Sequence, residues 1–284
     1  MNKYLNKQNI IYASIILVVL ILLAIFMPKG ILMDPLTTPA EYLASKPHVT
    51  LFNNLTIIVP SSTIIVYLLG IIILYIGYRL IKLDKKLWGI SLIFWGLSTI
   101  LAGSSYQGFG YELKCEGFEY CIFTSWFELS YLFFTAISIA LLAIAFSKDF
   151  YNKNWLIFYS KVALVIYTIL LLIGSIFEIY ILISYELFTV FFMPIFLVLF
   201  IINIRNYRKE HKSIDKSFIF LWILFLIVNI SYYIYYLPGF TSSLYDSTGI
   251  WFSANDVLHV GLIVWFIYFN YKLVLPLSKL TNQK

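Results

Sequence analysis

Charge is scarce in this chain. Its 284 residues include 20 Lys or Arg and 14 Asp or Glu, 12% in all, where soluble domains carry roughly a quarter. A soluble globular domain is therefore excluded, and with it the catalytic folds that need a large water-facing sheet. Cysteine is almost absent: the two present, Cys115 and Cys121, are too few for a cysteine-built metal site. There is no repeat of 20 to 50 residues and no low-complexity tract. What is abundant is apolar: 61% hydrophobic residues, 19% aromatic, and a mean hydropathy of +0.88.

Uninterrupted apolar stretches fall near 9–27, 55–79, 87–107, 122–146, 155–179, 181–204, 217–237 and 255–275. At about 20 residues per span, these predict an all-α polytopic bundle of roughly eight transmembrane helices. The first stretch follows Lys3 and Lys7 like a signal peptide, but it is long for a signal core and no small-x-small site precedes Pro28, so it reads as a retained helix. Residues 1–54 then form an N-terminal helix and an extracytoplasmic loop, and residues 55–284 a seven-helix core. Pro194 is expected to kink the sixth span.

Basic residues near helix ends are retained in the cytoplasm. With both termini cytoplasmic, 17 of the 20 fall inside, leaving Lys29, Lys46 and Lys114 outside. The net charge of +6 then suits an anionic leaflet and needs no nucleic-acid partner. Membrane lipids are the expected partners, in a multi-pass cell-membrane protein. Cys115 and Cys121 share one outer loop, where an oxidising exterior favours a disulfide between them.

The acidic residues sort the opposite way, most of them at the outer ends of helices. Glu128 reads as two turns into the fourth span, Glu178 and Glu186 flank the turn between spans five and six, and Asp256 opens the last. Ionisable groups at such depth are costly unless paired or hydrated, which makes each a site candidate. Asn255 and His259 share a helical face at i,i+4 with Asp256 one position round, and His259 is the only histidine within a span. Asp256 reads equally well as a helix cap. The outer end of span three, Gly103-Ser104-Ser105-Tyr106-Gln107 followed by Tyr111-Glu112, adds hydroxyls, an amide and a carboxylate at similar depth. A retinal protein would need a mid-membrane lysine in a late helix, and Lys161 and Lys272 both sit at inner ends. A transporter using Glu128, Glu178 and Glu186 lacks the expected inverted repeat.

The seven spans after the first, with polar motifs at the outer ends of the second, third and seventh of them, resemble the superfamily that joins alkaline ceramidases with adiponectin and progestin receptors. Ser104-Ser105-Tyr106-Gln107 with Tyr111-Glu112, Glu128, and Asn255-x-x-x-His259 are similar to that family's motifs. Its zinc-holding histidines correspond here to Gln107, Asn255 and His259, so one imidazole remains. The resemblance implies a divalent metal, zinc if the family chemistry survives, held by His259 with Asp256, Glu128 or Glu112, with His48 available from the outer loop. It implies hydrolysis of a lipid amide or ester: Glu128 or Asp256 as base, Ser104 or Ser105 at the oxyanion, and Gln107, Glu112 and Asn255 in the ligand pocket. Without a metal, the same shell implies a non-catalytic receptor or lipid-binding protein.

Overall fold

A computed structural model describes residues 7–51, 55–151 and 153–274. The described residues are mostly helical, with one two-stranded hairpin and an isolated bridge between Leu32 and Ile122. Helix α1 (Lys7–Ile25) leads into a loop with a short helix α2 (Pro39–Ala44), then strands β1 (His48–Thr50) and β2 (Thr56–Ile58). There follow α3 (Pro60–Lys82), α4 (Lys86–Gly103) with a π turn at Ser104–Gly108, α5 (Gly110–Lys114), α6 (Trp126–Phe146), α7 (Asn154–Ile176), α8 (Tyr185–Glu210), α9 (Ser213–Tyr236), α10 (Phe240–Thr248) and α11 (Ala254–Phe269). Among the described residues eight helices are long and apolar enough to cross a membrane, the composition of a multi-pass membrane protein.

Seven of the long helices close a ring. In chain order α3 packs on α4, α4 on α6, α6 on α7 and α8, α7 on α8, α8 on α9, and α9 on α11, which returns to α3. The outward faces keep large apolar side chains bare, among them Ile64, Phe158, Val190 and Leu197 at 57–70% exposure. In water that area would cost roughly 25 cal/mol per Å², so a lipid surround is the physical reason the faces are stable. Helix α6 is the innermost, buried along most of its length. Helix α1 lies outside the ring against α6 and α7, with Val19 and Leu23 buried and the Leu20 carbonyl accepting from Trp126 Nε1 at 3.0 Å.

Several element boundaries differ from the hydropathy reading. Leu55, Ile57 and Ile58 are apolar but belong to the hairpin, so α3 begins at Pro60, where the missing N–H costs nothing. Residues 122–125 are extended: Phe123 N–H donates to the Ile31 carbonyl and Ser125 caps α6. Helix α8 continues through Pro194. The turn before it is a 3₁₀ segment, Tyr180–Ile183. Hydropathy alone leaves strands of three residues and the polar helix α10 invisible.

Candidate functional site

The segment after α1 folds back over one end of the ring, the end that bears the disulfide. Its backbone runs beside residues 121–123: Met33 N–H donates to the Cys121 carbonyl at 3.0 Å, Cys121 N–H to Thr37 at 2.8 Å, and Phe123 N–H to Ile31 at 2.8 Å. Glu178, at the end of α7, accepts from the backbone N–H groups of Lys29 and Gly30 at 3.0 Å each. The expected Cys115–Cys121 disulfide is present, closing a loop of sequence separation 6.

Between this segment and the ring lies a cleft of about 590 Å³. Asp34, Tyr106, Lys114, Phe123, Glu128 and Tyr180 contribute to its walls. Glu128 is in the first turn of α6, not two turns in, because Ser125 ends the extended run and its hydroxyl receives the Glu128 N–H. The side chain turns inward, 3% exposed, and its Oε1 accepts from Lys114 Nζ at 2.8 Å and from Ser105 Oγ at 2.9 Å. Ser105 shares a second hydrogen bond with Ser125 Oγ at 2.6 Å. The π turn swings Ser105 and Gln107 inward while Tyr106 carries its ring to the Lys114 ammonium, 5.1 Å from the centroid. Burial works to lower the Lys114 pKa, but the Glu128 carboxylate and its hydrogen bond outweigh it, so the ammonium is held above its ordinary range. The two form a buried ion pair.

Lys114 is the residue that sequence reasoning missed. It read as one of three lysines on the wrong side of the topology, and that exception, one residue before a cysteine, was the available signal.

The remaining sequence candidates divide. Ser104 Oγ lies 2.9 Å from Tyr67 Oη on α3 and donates to the Ile100 carbonyl. Glu112 joins the hairpin, accepting the Thr56 N–H at Oε1 while its Oε2 is buried without a partner. Gln107 Oε1 is likewise buried and unpartnered. On α11, Asp256 is both cap and buried polar group: it completes a capping box with Ser253 and accepts from Ser62 Oγ on α3 at 2.7 Å, while Oδ1 has no partner. His259 lies one turn deeper, its Nδ1 buried and unpartnered. Asn255, expected to face inward, is exposed: α11 starts at Ala254, and the 100° step that buries Asp256 turns its neighbour away. His48 is exposed on the hairpin. Glu186 is exposed on α8.

Glu128 and Asp256 thus each anchor a separate hydrogen-bonded group. One is Glu128 with Ser105, Ser125 and Lys114; the other is Asp256 with Ser62 and Ser253. Among the described residues no three His, Cys, Asp or Glu side chains gather as a metal-holding group, Glu128, Asp256 and His259 included. Comparison with family models, curated proteins and solved structures gives no match.

Proposed function

We propose that this multi-pass membrane protein binds an amphipathic membrane ligand, without transforming it, in the cleft at its extracytoplasmic face. The observation that carries this reading is the cleft itself: a space of about 590 Å³ with aromatic walls and a buried Lys114–Glu128 pair. Ligand sites combine apolar walls with a few placed polar groups in this way. Within the cleft the one carboxylate placed to act as a base, Glu128, already accepts from a lysine and a serine at Oε1. The test is lipid retention. Purified protein should carry co-purifying lipid by native mass spectrometry, and Leu32→Trp, at a partly exposed wall position, should expel it while keeping the unfolding midpoint. Retention unaffected by Leu32→Trp would remove the cleft as the site.

A second reading, hydrolysis of a lipid amide or ester, is favoured by one observation. Asp256 Oδ1 and His259 Nδ1, at i,i+3 on α11, are both buried without partners. It predicts release of fatty acid from a lipid amide or ester by the wild type and loss of that release in His259→Ala; a wild type that releases none removes this reading.

A further inference from the structure

We propose that the ligand of this cleft is a zwitterionic lipid whose head group carries an ammonium, with its acidic oxygens at Lys114 and its ammonium among the cleft-lining Asp34, Phe123 and Tyr180. The proposal rests on the ligand-binding reading above and assigns the chemical class of the ligand.

The charges around the cleft do not cancel. Lys114 and Glu128 neutralise each other at 2.8 Å, whereas Asp34 makes no ion pair among the described residues. One negative charge is left facing the space, which calls for a cation in the ligand. Two rings on the same cleft suit one. Phe123 and Tyr180 meet with centroids 4.7 Å apart and planes tilted by 55°, so they form an angled wall. Aromatic faces beside a carboxylate attract ammonium groups, quaternary ones included, through the ring quadrupole. Tyr106, on the same cleft, already takes the Lys114 ammonium.

Lys114, its charge already matched by Glu128, still has N–H donors to give. A lysine ammonium has three N–H donors. Here one reaches Glu128 Oε1, and no second acceptor is bonded to it among the described residues, although the residue is only 4% exposed. Leaving buried donors unmade costs free energy, and a phosphate or similar oxyanion in the cleft would satisfy them. An anionic group at Lys114 and a cationic group at Asp34 describe a zwitterion.

The tail has an evident direction. The turn that carries Tyr180 also exposes Phe177 (68%), Ile179 and Ile181, and Leu32 and Leu36 are bare on the opposite segment. These apolar residues beside the cleft would be stabilised by acyl chains of the surrounding leaflet.

The experiment uses the full chain in nanodiscs of equal phosphatidylcholine and phosphatidylglycerol, with retained lipid read by native mass spectrometry after extraction. The expected result is preference for phosphatidylcholine by about tenfold, falling to near parity in Asp34→Asn and in Tyr180→Leu. Asp34 is exposed, and its amide variant does not threaten folding. Equal or greater retention of phosphatidylglycerol by the wild type would overturn the ammonium assignment while leaving ligand binding intact. Retention of neither lipid would remove both readings. In a separate arm, free phosphocholine that displaces the lipid at comparable concentration would overturn the lipid as the source, whereas displacement only by dihexanoylphosphatidylcholine supports it.

Discussion

A lysine and a glutamate sealed together beside a membrane are stable only as a pair. Removing two charges from water costs several kcal/mol each, and at 2.8 Å, with Ser105 also bonded to the same oxygen, the mutual attraction offsets that cost. Breaking one side should be severe: Glu128→Gln or Lys114→Met alone should lower stability by about 3–5 kcal/mol, read as the unfolding midpoint in detergent. The double variant should recover most of the loss, and additive losses would mean the two residues act independently. The pH dependence has a definite sign. The Lys114 pKa is raised on folding, so the contribution of the pair is fully present below the ordinary lysine value and is lost as pH rises through the raised one. Stability contributed by this pair should be flat from neutrality to moderately alkaline pH, and a wild-type-minus-double-variant difference that falls below pH 9 would contradict that.

At the scale of elements, the ring depends on helices brought unusually close. Helices α3 and α4 meet through glycines seven residues apart on each: a Cβ on Gly89 would lie 2.6 Å from the Gly77 carbonyl oxygen, and one on Gly96 2.9 Å from that of Gly70. Small residues at such contacts let two backbones approach in a medium that supplies no hydrophobic drive between helices. This contact fixes where the π turn of α4 delivers Ser105 and Tyr106. Gly89→Ala should therefore destabilise by about 1–3 kcal/mol and also weaken lipid retention, although the residue is far along α4 from the cleft. A loss of stability with retention unchanged would show that the π turn holds its position without this contact. Hydropathy located these helices because twenty apolar residues leave few alternatives. It misplaced their ends, since Leu55, Ile57, Ile58, Ile122 and Phe123 are apolar for a different reason: they belong to the hairpin and to the stretch beside the returning loop.

For the whole molecule, the disulfide end is a cover tied down at several points. The Cys115–Cys121 bridge holds the loop whose backbone at Cys121 bonds Met33 and Thr37, and Glu178 ties Lys29 and Gly30 to α7. Closing so short a loop should contribute about 2 kcal/mol. The double variant Cys115→Ser, Cys121→Ser should lower the unfolding midpoint accordingly and shorten lipid residence, and unchanged residence would mean the hydrogen bonds to residues 33 and 37 position the cover alone. By itself, the sequence determined the membrane class, the eight long apolar helices, the disulfide, and Glu128, Ser105 and Asp256 as polar groups out of place, because each is set by local hydropathy or by a single residue's cost in an apolar surround. Only the tertiary structure decided that Glu128 faces Lys114 while Asp256 faces Ser62, and that Asn255 points away. Those outcomes depend on which helix faces which across the ring and on a loop folding back through backbone hydrogen bonds, and neither leaves a period or a motif in one chain.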